Sequence, residues 1–138
     1  MINNAGIMAL PEHTPTEDGS ETQSGTNHLG HFLLFQVLKP QLLAGSTPEF
    51  NFRVVALTLV VHRYSLVLLD NLNLEKPNSY DPWIGYGHPK TAVIQFTNEL
   101  ERRYGNAEAK ASGNIIHAFS VNPSAIKSRP TSTCQAGI

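Results

Sequence analysis

The chain has 138 residues, which suits one domain with its own hydrophobic core and excludes two domains of ordinary size. Ten basic and eleven acidic residues give a net charge of −1, so the chain lacks the basic surface of a protein that binds nucleic acid or anionic membranes. The single cysteine, Cys134, excludes an intrachain disulfide, and the lack of a bilayer-length apolar run or a signal-peptide pattern predicts a cytoplasmic protein.

The first half of the chain predicts a strand, a loop, a helix and a second strand. Residues 1–7 are typical of the end of a buried strand, and residues 9–20 are typical of a polar loop. Apolar side chains at i, i+3 and i+4 spacing predict a helix from about Glu17 to Ala44, ended by Gly45. The apolar, β-branched run from Phe52 to Val61 predicts a central parallel strand covered on both faces.

The second half predicts one long helix and one further strand. Residues 64–80 are irregular, and Asp81-Pro82 then has the pattern of a helix N-cap followed by proline at the first helical position. The helix is expected to end at Gly105-Asn106. Ile115 to Val121 predicts a strand, which Asn122-Pro123 stops.

Strands that alternate with helices of ten or more residues imply parallel pairing through crossover connections. We therefore predict an α/β fold, a partial Rossmann-like, doubly wound parallel sheet. Residues 1–128 are expected to form one such domain, and residues 129–138 a frayed tail.

The six histidines raise the question of a metal site. His28 and His31 are spaced to share a helical face, but no carboxylate motif accompanies them and the two-histidine pattern of zinc proteases is absent. No metal site is predicted.

The order and spacing of several short motifs make the chain resemble the short-chain dehydrogenase/reductase family, and its retinol-dehydrogenase-like members most closely. The resemblance covers roughly residues 2–128. It implies that residues 1–128 are the C-terminal catalytic portion of an NAD(P)-binding Rossmann-type domain. The family's first strand and the glycine-rich turn that follows it are expected to be missing, because nothing precedes Met1 in this sequence. The matching motifs are Asn3-Asn4-Ala5-Gly6, Thr26-Asn27-His28-Leu29-Gly30-His31-Phe32-Leu33-Leu34, His62-Arg63, Tyr86 to Lys90, Asn98-Glu99-Leu100 and Asn122-Pro123.

The resemblance implies NAD(P)-dependent interconversion of alcohols and aldehydes or ketones, with NAD or NADP as the cofactor and a small alcohol or carbonyl compound as the substrate. Tyr86 is implied to be the general acid–base, Lys90 its pKa partner and ribose ligand, and Asn27 the holder of a water molecule. An ammonium near a phenol favours the ionised phenol, and an i, i+4 spacing puts both side chains on one helical face. An asparagine inside a helix has an alternative role, since it can simply bond a carbonyl or face solvent.

The resemblance also implies cofactor contacts at both ends of the sheet. Asn4, Ala5 and Gly6 are implied to close the strand beside the adenosine, although Asn and Gly also occur in ordinary turns. Pro123, Ser124 and Ile126 match the segment that packs against the nicotinamide, with serine where the family has glycine. Ser128 is a weak match to a threonine near the cofactor.

Two departures bear on activity. Where the family has its catalytic serine this chain has Leu59, and Thr58 is a poor substitute because successive strand residues face opposite ways. Pro89 stands just before Lys90, and the sequence leaves open whether it lies in the first helical turn, where it is harmless, or deeper, where a kink would misalign Tyr86 and Lys90.

We therefore expect negligible turnover by this chain alone. Two further interpretations stay open. One is a non-catalytic fragment that dimerises through the helices at 17–44 and 82–105, and the other is the product of an incomplete or decayed gene.

Overall fold

The computed structural model describes residues 1–47, 49–106, 109, 113 and 115–123. Its sheet has three strands, β1 (Ile2–Asn3), β2 (Phe52–Leu57) and β3 (Ile116–Val121), in the order β1-β2-β3. Both strand pairs are parallel, and Val55 lies opposite Ile2 on one side and Phe119 on the other. The predicted parallel α/β sheet is confirmed.

The first helical region has three consecutive parts: α1 (Thr22–Ser24), a π-helical turn (Gly25–Leu29) and α2 (Gly30–Ala44). The Glu21 carboxylate caps it and accepts hydrogen bonds from the backbone N–H groups of Gln23 (2.9 Å) and Ser24 (2.7 Å). The helix therefore begins later than the predicted Glu17, because the residues before the cap pair back on themselves through a bridge between Pro15 and Glu21. Its predicted end at Gly45 is confirmed.

The second long helix is α3 (Pro82–Tyr104). The Asp81 carboxylate accepts hydrogen bonds from the N–H groups of Trp83 (2.8 Å) and Ile84 (3.0 Å), which satisfies two of the free donors of the first turn. Gly105 is the C-cap. Both predicted ends of this helix are confirmed.

The predicted strand from Phe52 to Val61 is too long. β2 ends at Leu57, and Val60–Arg63 forms a short 3-10 helix. The N–H of Thr58 donates to the carbonyl of Val121 at 3.0 Å. Val121 is the last residue of β3, so β2 has no partner beyond this point. Val61 is buried instead against α3, where its carbonyl lies 2.7 Å from the position of a Cβ on Gly87.

The core lies between one face of the sheet and the two long helices. Its buried members are Phe35 of α2, Leu100 of α3, and Val54, Ile116 and Ala118 of the sheet. The Phe96 ring joins the helices by an edge contact with Phe35 at 5.6 Å between ring centroids.

The other face of the sheet carries apolar side chains, with Ile2 71% exposed and Phe119 47% exposed. Among the described residues no helix covers this face. The prediction that β2 is covered on both faces is therefore correct for one face and wrong for the other. No described helix has the length and apolar character needed to cross a bilayer.

Candidate active site

Tyr86 and Lys90 meet at the edge of the sheet where β2 ends. Both lie on α3 and are buried, with 8% and 5% of their surface exposed. The Lys90 ammonium donates to the backbone carbonyl of Leu57 at 2.8 Å and lies 5.6 Å from the centroid of the Tyr86 ring. The carboxyl ends of parallel strands are where open α/β sheets bind their ligands.

Burial dominates the electrostatics of this pair. Loss of solvent raises the pKa of the Tyr86 phenol above its usual range and lowers the pKa of the Lys90 ammonium. The two shifts have one cause, since burial disfavours the charged form of each group. In this structure Tyr86 is therefore a protonated phenol near neutral pH, the form that can donate a proton.

Asn27 lies in the π-helical turn and is fully buried. Its amide makes two hydrogen bonds with the backbone of Ile7: the side-chain nitrogen donates to the Ile7 carbonyl, and the Ile7 N–H donates to the side-chain oxygen, both at 2.9 Å. Asn27 thus fastens the loop after β1 to the first helical region. These bonds agree with the alternative role of Asn27, in which its side chain simply bonds the backbone. The side-chain oxygen keeps a second lone pair that can accept another hydrogen bond.

Gly6 brings this loop into the site. A Cβ on Gly6 would lie 3.0 Å from the Asn27 side-chain oxygen and 3.9 Å from the Lys90 ammonium. The close approach explains the glycine, because any side chain would force Asn27 to move. Asn4, Ala5 and Gly6 are exposed, so the segment that brings Gly6 close to Lys90 is accessible to solvent.

Thr58 is buried, and its hydroxyl donates to the backbone carbonyl of Lys90 at 3.1 Å. The hydroxyl therefore serves the helix backbone. Leu59 is half-buried and extended and carries no hydrogen-bond donor in its side chain. Neither residue supplies a free hydroxyl beside Tyr86.

Pro89 lies inside α3, beyond its first turn. It has no N–H for the carbonyl of Gly85, the residue four positions earlier. Of the two positions that the sequence left open, Pro89 therefore takes the deeper one. The misalignment predicted for that position is not observed, since the Lys90 ammonium still lies 5.6 Å from the centroid of the Tyr86 ring.

Of the remaining predicted residues, Pro123 follows β3 and is half-buried. Ser124, Ile126, Ser128 and the tail at 129–138 lie outside the described residues. Within the described part of the chain no group of three or more His, Cys, Asp or Glu side chains could hold a metal ion.

Two features of the site were not predicted from the sequence. One is the Leu57 carbonyl that accepts a hydrogen bond from Lys90, which no residue type could indicate because every residue has a backbone carbonyl. Gly87 is the other: a Cβ there would lie 2.7 Å from the Val61 carbonyl, so only glycine lets α3 pack this closely. A glycine inside a predicted helix was the available signal.

No protein-family model matches the chain. It is 48% identical over 126 residues to "Short-chain dehydrogenase/reductase prx1" of Penicillium roqueforti, covering 91% of this chain and 34% of that protein. It is 43% identical over 119 residues to human "Retinol dehydrogenase 13", covering 86% of this chain and 33% of that protein.

A solved structure of an uncharacterised protein from Mycobacterium paratuberculosis shares the fold, with a TM-score of 0.72 and 40% identity over 88% of this chain and 40% of the other. The chain belongs to the short-chain dehydrogenase/reductase family over the stretch that it spans. That stretch is about a third of the length of the curated relatives.

Proposed function

We propose that this chain carries the catalytic portion of an NAD(P)-dependent oxidoreductase that interconverts alcohols and aldehydes or ketones. The observation that carries the proposal is the buried Tyr86–Lys90 pair at the carboxyl end of β2, with Gly6 and Asn27 beside it. The relatives support it, since their names describe dehydrogenases and reductases.

The residues fit the nicotinamide-ribose end of such a cofactor. Lys90 lies beside Gly6, which belongs to an exposed segment with Asn4 and Ala5, and the lack of a side chain on Gly6 allows close approach. Lys90 would donate to the ribose hydroxyls, and Pro123 would border the ring. NAD and NADP are both compatible with this arrangement.

In the direction of reduction, Tyr86 would donate its phenolic proton to the carbonyl oxygen of the substrate. A nicotinamide cofactor, when bound, would supply the hydride that the carbonyl carbon needs. Lys90 is the nearby cation that stabilises the phenolate left behind. Asn27 keeps the loop after β1 in place, so Gly6 stays close to Lys90. Oxidation of the alcohol reverses each of these transfers.

We propose that turnover by this chain alone is severely impaired. Leu59 has no donor for the substrate oxygen, and the Thr58 hydroxyl already bonds to Lys90. Loss of one such donor costs on the order of 10²- to 10³-fold in rate. Restoring the donor by Leu59→Ser is not expected to restore turnover by itself.

The test is consumption of NADPH with a panel of aldehydes and ketones, for the chain and for Tyr86→Phe. We expect a trace rate, at or below about one hundredth of the 1 to 10³ s⁻¹ typical of enzymes, that falls to background in Tyr86→Phe. An equal rate in both proteins would refute the role of Tyr86. A rate within the typical range would refute the impairment.

A second function is favoured by the outer surface of α2. Leu33 and Val37 are 62% and 63% exposed, and Leu29 and Leu34 are also exposed, which is unusual for large apolar side chains on one helix. We propose that the helices within 17–44 and 82–105 form a homodimer interface. Light scattering after size exclusion should show a dimer that becomes a monomer in Leu33→Lys/Val37→Lys, and a monomeric parent chain would contradict this.

A further inference from the structure

A second cavity lies on the side of α3 that faces away from Tyr86. It has a volume of about 410 Å³ and is lined by side chains of the first helical region, of the loop after the 3-10 helix and of α3, among them Ser24, His28, Val67, Leu72, His88 and Ala92. At about 100° per residue, His88 is turned by roughly 200° from Tyr86 around the helix axis. Neither Tyr86, Lys90 nor Asn27 lines this cavity.

His88 supplies the cavity with a hydrogen-bond donor. Only 3% of the residue is exposed, and its Nδ1 accepts a hydrogen bond from the N–H of Leu68 at 3.1 Å. This bond fixes the neutral ring with its proton on Nε2. Among the residues that the structure describes, no group accepts a hydrogen bond from Nε2, so this nitrogen of a cavity-lining residue is left to donate to a ligand.

The opposite wall carries two more polar groups without a partner in the described chain. The hydroxyl of Ser24, a residue 7% exposed, and Nδ1 of His28 are both buried and unpaired. Burial and the nearby His31 and His88 lower the pKa of His28 to about 4, and burial also lowers the pKa of His88. Both rings are therefore neutral at pH 7.

The charges around the cavity argue against an ionic ligand. Glu21 is near enough to act on His88, but its carboxylate already accepts from Gln23 and Ser24 and would repel an anion. No described side chain offers a free carboxylate to a cation here, because Glu21 is 1% exposed and bonded. The rest of the lining is mainly apolar, and the volume lies within the roughly 300 to 1,000 Å³ of small-molecule sites.

We propose that this cavity binds an uncharged, mainly apolar small molecule that presents a carbonyl or hydroxyl oxygen to Nε2 of His88. The site is separate from the one that holds Tyr86 and Lys90. The proposal does not depend on the chain being an oxidoreductase.

The experiment is NMR of the histidine rings while the chain is titrated with cyclohexanone, with cyclohexanecarboxylate as the anionic control of similar size. We expect saturable shifts of the His88 and His28 signals by cyclohexanone, with a dissociation constant on the order of 1 mM, and no saturable shifts by the carboxylate.

Three variants locate the probe. Ala92→Phe fills the cavity and should abolish binding. His88→Asn keeps an acceptor for Leu68 but removes the Nε2 donor, so it should weaken binding by roughly three- to tenfold, whereas His88→Gln keeps a donor near that position and should weaken it less. Binding to the His88 variants is followed by the His28 signal.

Tyr86→Phe is the control for the other site and should leave the affinity unchanged. Loss of binding in Tyr86→Phe would place the probe at the catalytic pair and overturn the proposal. Equal binding by the carboxylate, unchanged affinity in both Ala92→Phe and His88→Asn, or no saturable shift at all would also overturn it. Activity measurements are not needed, so failure here is distinct from failure of the proposed catalytic role.

Discussion

Replacing Asn27 by alanine tests whether the loop after β1 is held by one side chain. The amide makes both of its hydrogen bonds to Ile7, and the residue is fully buried. Asn27→Ala removes two bonds, each with a net value of about 1 kcal/mol, and leaves the N–H and the carbonyl of the half-buried Ile7 without their partner. We therefore expect the free energy of unfolding to fall by about 2 to 4 kcal/mol.

The loss is measured by urea unfolding followed by circular dichroism. With a slope of about 2 kcal/mol per molar urea, the midpoint should fall by about 1 to 2 M. Gln36→Ala is the matched control, because it removes an exposed amide from the same helical region and should change stability by less than about 0.5 kcal/mol. Hydrogen exchange gives a local readout, since the Ile7 N–H is bonded to the Asn27 side chain.

The Ile7 amide should exchange slowly in the parent chain and fast in Asn27→Ala, under conditions where the core stays folded. Equal stabilities of Asn27→Ala and Gln36→Ala would refute the reasoning. Unchanged exchange at Ile7 would refute it as well, since it would mean that another group protects this amide.

Three further predictions concern stability. The pKa of His28 is lowered to about 4 in the folded chain, so the folded chain takes up this proton at a lower pH than the unfolded chain does. The free energy of unfolding should therefore be highest above about pH 6.5 and fall by up to about 3 kcal/mol as the pH is lowered towards 4. The slope should flatten in His28→Phe, and an unchanged acid transition would contradict this. Thr58→Val removes the bond to the Lys90 carbonyl and should cost about 1 to 3 kcal/mol in urea unfolding, and a neutral effect would show that this bond contributes nothing. Gly87→Ala places a Cβ about 2.7 Å from the Val61 carbonyl and should lower the melting temperature despite the better helix propensity of alanine, so a higher melting temperature would show that α3 can shift at no cost.

The fold was predictable where the signals are local. The bounds of α3 follow from Asp81 at one end and Gly105 at the other, and both are residues that terminate helices by their own chemistry. The start of the first helical region was placed too early because its cap is Glu21, which is an uncommon cap residue. The end of β2 was placed too late because an apolar run does not show where its partner strand stops.

In the candidate site, too, the local features were predictable and the contacts between distant residues were not. The spacing of Tyr86 and Lys90 predicts that they share a helical face, and the structure brings them together. The bond from Lys90 to the Leu57 carbonyl and the bond from Thr58 to the Lys90 carbonyl join residues more than thirty positions apart. Such contacts depend on packing and on backbone atoms that every residue has, so no residue pattern predicts them.

The central claim is that Lys90 and the exposed segment at Gly6 hold the nicotinamide end of a cofactor. Its most direct test is thermal unfolding of the chain during titration with reduced nicotinamide mononucleotide, with Lys90→Met as the site variant and Lys39→Met as the control. At 100 times the dissociation constant, a ligand that binds only the folded chain contributes about 2.7 kcal/mol, which raises the melting temperature of a 138-residue domain by about 9 °C. We expect this rise in the parent chain and in Lys39→Met but not in Lys90→Met, and an equal rise in all three proteins, or in none, would contradict the account.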